Sequence, residues 1–130
     1  MIRPWKPAGY NSVSPYLTVS DAKATLAFLE AVFSAKRLRL LFRPDGSLMH
    51  GEMQIDDTVV MLSEATSTWP GVPAHVHIYV DDVDATYQRA LAAGGTSIMA
   101  PSQKDDEDKR GGVQDAGGTT WWIATQVEMP

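Results

Sequence analysis

The chain has 130 residues, of which 44% are hydrophobic and 21% charged, and this suits one globular domain spanning residues 1–130. It has no cysteine, which excludes disulfides, thiolate metal sites and cysteine nucleophiles. A net charge of −5 argues against a nucleic-acid partner. The lack of a ~20-residue apolar run and of an apolar leader predicts a cytoplasmic protein with no membrane partner.

The first half of the chain predicts one strand, one helix and three further strands. Residues 1–11 contain two prolines and a glycine without periodicity, which indicates an extended arm. VSPYLTV alternates as a strand over 13–19, and Ser20 and Asp21 are candidate N-caps of a helix over 21–35. Further strands are predicted at 37–43, about 48–55 and 58–64, with turns at 44–47 and 56–57.

The second half follows a Pro-, Gly- and Thr-rich linker at 65–73. AHVHIYV predicts a strand over 74–80, and Asp81 and Asp82 precede a helix over 82–93 that ends in glycines. Strands are then predicted at 96–100, from 113 to 115 and over 120–126. The charged segment 103–112 is predicted to be a solvated loop, since it lacks the alternating ligands and central glycine of a calcium loop.

An offset of 61 residues relates the two halves, because it pairs Val19 with Val80 and Asp21 with Asp82. Strand, capped helix and three strands recur in the same order. A single copy would leave its core uncovered, whereas two copies can bury a common one. We therefore predict an α+β fold of two tandem βαβββ modules, at about 12–64 and 74–126.

Several segments resemble a known family. VSPYLTVSDAKATLAFLEAVFSA is similar to the opening of the vicinal oxygen chelate superfamily, which includes glyoxalase I, extradiol dioxygenases, and fosfomycin- and bleomycin-resistance proteins. LMHGEMQIDDTVVMLSE, HIYVDDVDATYQRALAAGG and VQDAGGTTWWIATQ look closest to its PhnB-like, glyoxalase/bleomycin-resistance branch. The resemblance covers residues 12–126. It implies a mixed sheet that curls around a small-molecule cavity, usually within a homodimer.

The resemblance also implies where a metal would bind. Metal-using members place four inward-facing ligands on the first and last strands of each module, and these positions fall at Ser14, Met61, His75 and Trp122. The offset of 61 again relates Ser14 to His75 and Met61 to Trp122. Only the imidazole is a good ligand for a hard or borderline cation, so we predict no metal and no other cofactor.

The predicted cavity face continues along the same strands. His75, His77 and Tyr79 alternate on one strand, and Trp121 and Trp122 must point to opposite faces, with Trp122 inside. The predicted ligand-binding residues are Ser14, Tyr16, Met61, His75, His77, Tyr79 and Trp122; none is predicted to be catalytic.

These features favour a metal-free protein that binds or sequesters an aromatic or heteroaromatic molecule, such as an antibiotic or a biosynthetic product. One alternative is a metal-dependent lyase, isomerase or dioxygenase with a shifted ligand set, because a one-residue slip in register would bring in Glu52 or Glu64 with His50. Others are an isomerase with His75 as base, and a scaffold whose cavity is collapsed. The identity of the ligand, and whether modules pair within or between chains, stay open.

Overall fold

The computed structural model describes residues 3–130, so the first two residues of the predicted arm lie outside the described residues. The elements follow the predicted order twice: β1 (Tyr16–Val19), α1 (Ala22–Phe33), β2 (Lys36–Phe42), β3 (Leu48–Ile55), β4 (Thr58–Glu64), then β5 (Ala74–Tyr79), α2 (Val83–Ala92), β6 (Thr96–Gln103), β7 (Asp108–Gln114) and β8 (Thr119–Gln126). Neither helix in the described part of the chain has the length and apolarity needed to cross a bilayer.

The strands form two four-stranded sheets with the same topology. Sheet 1 has the order β1-β4-β3-β2 and sheet 2 the order β5-β8-β7-β6. In each sheet the first strand pairs in parallel with the last, and the remaining pairs are antiparallel. The predicted α+β fold of two tandem βαβββ modules is confirmed, and the eight strands between residues 3 and 130 do not close into a barrel.

The internal repeat is visible at the helix caps. The Asp21 carboxylate accepts a hydrogen bond from the Ala24 backbone N–H at 3.1 Å, and the Asp82 carboxylate accepts one from Ala85 at 3.0 Å. These two aspartates are the pair that the 61-residue offset predicted. Each satisfies an N–H that the first helical turn leaves without a partner. The other cap candidate, Ser20, instead donates to the Ala116 carbonyl across the two modules at 3.5 Å.

One hydrophobic core serves both modules. The Phe33 ring lies 5.1 Å from the Trp121 ring, and Arg89 donates to the Val32 carbonyl at 3.4 Å, so α1 contacts both the helix and the sheet of module 2. A Cβ atom on Gly117 would lie 2.4 Å from the Thr25 hydroxyl oxygen, so the β7–β8 turn approaches α1 where only glycine fits. Each sheet buries one face in this core, and its other face, called here the open face, is turned away from it.

Two predicted boundaries are wrong. β1 begins at Tyr16 and not at 13, and the preceding residue is Pro15, which has no N–H to offer a strand. Residues 108–112 belong to β7 and not to a solvated loop, which is confined to 104–107. This charged segment can form a strand because its buried carboxylate is hydrogen-bonded. Asp108 is only 6% exposed and accepts hydrogen bonds from Arg110 at 2.8 Å and from Tyr79 at 2.6 Å.

Candidate functional site

The open face of sheet 2 carries a flat surface made of two rings. Trp122 on β8 donates its indole N–H to His75 Nδ1 on β5 at 3.0 Å. The ring planes differ by 7° and their centroids are 6.1 Å apart, so the rings lie edge to edge and nearly coplanar. A Cβ atom on Gly112 would lie 2.5 Å from the indole, which means that the ring rests on the bare backbone of β7. This surface, the indole–imidazole platform, is half-buried at Trp122 and exposed at His75.

A charged cluster adjoins the platform. Arg110 on β7 donates to His77 Nε2 at 3.1 Å, to Asp106 at 3.3 Å and to Asp108 at 2.8 Å. The Tyr79 hydroxyl donates to the same Asp108 carboxylate, which raises the pKa of Tyr79. Partial burial and then the Arg110 charge lower the pKa of His77, so its imidazole is neutral at pH 7.

The partners of the two imidazoles fix their tautomers when the rings are neutral. An indole N–H and a guanidinium N–H can only donate, so His75 Nδ1 and His77 Nε2 act as acceptors. The remaining nitrogen of each ring therefore carries a hydrogen. Together with the Arg110 guanidinium, this makes the open face of sheet 2 rich in hydrogen-bond donors, which favours a ligand with acceptor oxygens.

The open face of sheet 1 carries a second hydrogen-bonded chain. Tyr10 of the N-terminal arm donates to one carboxylate oxygen of Glu52, and His50 Nε2 lies 2.8 Å from the other. The Tyr16 hydroxyl lies 3.0 Å from His50 Nδ1. Glu52 is 7% exposed, and the hydrogen bond from Tyr10 is the main reason that its pKa is lowered. Glu52 therefore stays ionised and accepts the Nε2–H, and in the neutral imidazole this leaves His50 Nδ1 to accept from the Tyr16 hydroxyl.

Within one chain the predicted set divides between the two open faces. Tyr16 pairs with Met61 on sheet 1, while His75, His77, Tyr79 and Trp122 lie on sheet 2. Among residues 3–130 no side-chain hydrogen bond or ring contact joins one open face to the other. Ser14 is half-buried and lies before the first strand. The single hollow that the sequence predicts is thus not assembled by these side chains within one chain.

A groove of about 730 Å³ runs along the edge of β5 that pairs with no other strand between residues 3 and 130. It passes between the modules, with Phe33, Asp57 and Arg89 among its walls. Of the predicted ligand-binding residues, His77 and Tyr79 line this groove, whereas the platform residues His75 and Trp122 do not. The groove is therefore a separate feature from the indole–imidazole platform.

Comparison with known proteins agrees with this architecture. The family model of the Glyoxalase/Bleomycin resistance protein/Dioxygenase superfamily matches residues 9–123. The chain belongs to this superfamily. The resemblance seen in the sequence is thereby confirmed.

Three individual proteins that resemble this chain share between 18% and 33% sequence identity with it. The uncharacterized protein Mb0911c of Mycobacterium bovis is 33% identical over an alignment 127 positions long, and the alignment covers 89% of this chain and 84% of that protein. The crystal structure of TioX from Micromonospora sp. ML1 aligns with a TM-score of 0.74 at 20% identity, covering 89% of this chain and 98% of that one. The fosfomycin resistance protein FosX of Mesorhizobium loti aligns with a TM-score of 0.65 at 18% identity, covering 88% and 91%. The two structures establish a shared fold.

The residues at the superfamily's metal positions do not fit a divalent cation. Met61 offers a thioether and Trp122 an N–H, and this indole already occupies the Nδ1 lone pair of His75. Glu64, an alternative ligand after a slip in register, accepts from the Ala22 backbone N–H at 3.2 Å and so serves the start of α1. Across residues 3–130 no three His, Cys, Asp or Glu side chains are grouped as ligands.

Some residues of the open faces lie outside the set predicted from the sequence. The sequence pattern places His50 and Glu52 in a site only after a slip in register, yet both lie on the open face of sheet 1 in the observed register, because Glu52 pairs with Met61 across β3 and β4. The alternation in LMHGEMQI was the available signal. Arg110 lies in the segment predicted to be a loop beside the cavity, and its contact with His77 depends on the pairing of β7 with β8.

Proposed function

We propose that this member of the superfamily binds or sequesters a small aromatic or heteroaromatic molecule without a metal. The observation that carries the proposal is the indole–imidazole platform, in which Trp122 and His75 form one flat surface supported by Gly112. Aromatic rings stack on such a surface and bury apolar area. An antibiotic or a biosynthetic product of this chemistry fits the proposal.

The polar groups beside the platform narrow the ligand class. His75 and His77 present N–H groups, and Arg110 adds a cation that Asp106 and Asp108 hold in place. Buried or half-buried donors need acceptors when water is displaced. We infer that the ligand carries carbonyl, carboxylate or quinone-type oxygens at the edge of its ring system.

We also propose a cytoplasmic homodimer in which a second copy completes the site. Tyr16 and Tyr79 are 52% and 63% exposed on the two open faces. If sheet 1 of one chain covers sheet 2 of its partner, the predicted residues of both faces line one hollow: Ser14, Tyr16, Met61, His75, His77, Tyr79 and Trp122. Such an arrangement also covers large aromatic surface that a lone chain leaves in water.

Substitution of the indole tests the proposal. We expect Trp122→Ala to weaken binding of a flat oxygen-bearing probe, such as anthraquinone-2-sulfonate, by about 1–3 kcal/mol, because stacking area is lost. Isothermal titration calorimetry measures the affinity. Trp69→Ala is the matched control, since this tryptophan is 69% exposed in the linker and its ring contacts neither of the two platform rings. Equal affinities for wild type and Trp122→Ala would contradict stacking on the platform.

Metal content is measured in the same preparations. Protein purified without chelators is expected to contain far less than one Zn, Ni, Mn or Fe per chain, because the donor set at the superfamily's positions is poor. About one tightly held ion per chain would overturn the metal-free proposal and support a metal-dependent lyase, isomerase or dioxygenase.

A further inference from the structure

We propose that Tyr16, His50 and Glu52 form a proton relay that makes the Tyr16 hydroxyl reactive toward electrophilic carbonyl compounds. The three groups are joined in series, at 3.0 Å from Tyr16 Oη to His50 Nδ1 and at 2.8 Å from His50 Nε2 to Glu52. A carboxylate that orients an imidazole, which in turn accepts from a hydroxyl, is the arrangement that activates nucleophiles in acyl transfer. This activity goes beyond binding and does not depend on the platform of sheet 2.

The three histidines of the chain differ in the partner that occupies the imidazole lone pair. In His75 the partner is an indole N–H, and in His77 it is a guanidinium N–H. Neither donor gives up its proton near neutral pH. In His50 the partner is the Tyr16 phenol, an acid that can transfer its proton. His50 is therefore the histidine placed to act as a general base.

The tyrosines differ in a matching way. Tyr10 and Tyr79 donate directly to the carboxylates of Glu52 and Asp108, and these hydrogen bonds raise the pKa of both phenols. Tyr87 is 7% exposed, and its hydroxyl shares a hydrogen bond with the Ser97 hydroxyl. Tyr16 is half-exposed and has an imidazole as its partner. Of the four tyrosines, Tyr16 is the one that combines access from solvent with a hydrogen bond to an imidazole nitrogen.

Glu52 keeps the relay in the required tautomer. It is nearly fully buried, and its second oxygen is held by Tyr10, so the carboxylate cannot rotate freely. It accepts the Nε2–H of His50 and stabilises the imidazolium that forms when Nδ1 takes up a proton. Glu52 is thus a positioning residue, whereas Tyr16 meets the electrophile.

The proposed reaction is the transfer of an acyl group to the Tyr16 hydroxyl. Tyr16 Oη attacks the carbonyl carbon of an acyl donor, and its proton moves to His50 Nδ1. The bond between the acyl carbon and the leaving group breaks, and the leaving group takes the proton from His50 as it departs. The products are O-acylated Tyr16 and the protonated leaving group, with His50 restored to its neutral form.

N-acetylimidazole is a suitable probe, because it acetylates tyrosine and releases imidazole. Peptide mass spectrometry after brief exposure at pH 7.5 gives separate rates for Tyr16 and Tyr79, which serves as an internal control of similar exposure. We expect Tyr16 to react at least about tenfold faster than Tyr79, since positioned general bases contribute factors of this size or more. Equal rates at the two tyrosines would overturn the proposal.

Variants separate activation from simple exposure. His50→Gln keeps a polar side chain but loses the base, and we expect it to lower the Tyr16 rate about tenfold or more while Tyr79 is unchanged. Glu52→Gln is expected to give a smaller loss at Tyr16, with folding checked by circular dichroism. A Tyr16 rate that survives His50→Gln in a folded protein would overturn the relay. Because no sheet 2 ligand is used, this test and the stacking test can fail independently.

Discussion

The chemistry of each polar side chain on the two open faces is decided by one or two neighbours. His77 shows this most directly, because partial burial and the Arg110 guanidinium outweigh the opposing carboxylates of Asp106 and Asp108 and lower its pKa. A histidine held neutral offers one N–H and one acceptor, whereas a charged one offers two donors. Partial burial and Arg110 together therefore keep His77 neutral, and Arg110 occupies its acceptor nitrogen Nε2.

The lowered pKa of His77 predicts a pH dependence of stability. In the unfolded chain this histidine takes up a proton near pH 6.5, and in the folded chain only at lower pH. The unfolded state thus binds more protons in that window, and the free energy of unfolding falls as the pH drops below 6.5. The slope is expected to be a fraction of ~1.4 kcal/mol per pH unit, because the ring is exposed and screened.

Urea unfolding of wild type and His77→Gln at pH 7.5, 6.5 and 5.5 measures this slope. The variant lacks the titrating ring, so its stability is expected to fall less over the same range. As a control, Arg110→Gln removes the neighbouring charge, and the His77 pKa followed by NMR is expected to rise. Identical pH slopes in wild type and His77→Gln would show that His77 does not contribute.

At the scale of elements, the β7–β8 turn determines where both tryptophans point. Asp115, only 4% exposed, accepts from the backbone N–H groups of Gly117 at 2.9 Å and Thr119 at 3.1 Å. Its other oxygen accepts from the Trp121 indole N–H at 2.9 Å. Trp121 is thereby fixed in the core, and alternation along β8 places Trp122 on the open face.

We expect Asp115→Asn to destabilise the fold by about 2–3 kcal/mol, because an amide NH₂ then faces a donor in a buried site. Urea denaturation at pH 7 measures the loss. Asp45→Asn is the matched control, since Asp45 makes the same kind of turn contact with the Ser47 N–H at 2.9 Å but is exposed. A midpoint shift in Asp115→Asn no larger than in Asp45→Asn would refute this role.

At the scale of the whole molecule, the decisive feature is that the two sheets share one core and leave their open faces apart. β1 and β2 are the edge strands of sheet 1, and β5 and β6 are those of sheet 2, so within residues 3–130 both edges of each sheet lack a partner strand. Exposed edges and large exposed aromatics favour association. A dimer that apposes the open face of sheet 1 in one chain to that of sheet 2 in the other accounts for the exposed aromatics.

Mixed dimers test this arrangement. We expect sedimentation at twice the 14.2 kDa of one chain. Trp122→Ala removes a binding residue from the open face of sheet 2, and the double variant Tyr16→Ala/Met61→Ala removes two from the open face of sheet 1. Each variant alone is expected to bind anthraquinone-2-sulfonate weakly. Co-refolded in equal amounts, they are expected to recover about a quarter of the high-affinity sites, because half of the dimers are mixed and each contains one intact pair of faces.

Calorimetric titration of the co-refolded mixture counts the recovered sites. Recovery of none would mean that each site is built within one chain. Sedimentation as a monomer would contradict the dimer itself. Wild type refolded by the same procedure is the control for losses during refolding.

Local chemistry in the sequence determined the order of elements, the two aspartate caps and the opposite placement of Trp121 and Trp122. Period-two alternation and helix capping depend on a few neighbouring residues, so they can be predicted without knowledge of long-range contacts. The 61-residue repeat shows the same patterns in both modules. The same local rules misplaced the start of β1 and the charged residues of β7. There, a proline and the hydrogen bonds that Asp108 accepts from Tyr79 and Arg110 decided the outcome.

Only the tertiary structure decided which of these residues meet. Strand pairing brings His50 to Tyr16 across 34 residues of the chain and Arg110 to His77 across 33, and no local pattern specifies either contact. The sharing of one core by both modules likewise separates the two open faces, because packing favours burial of the faces that contact α1 and α2. The sequence therefore determined which residue types face the site, and packing determined that they form two separate clusters within one chain.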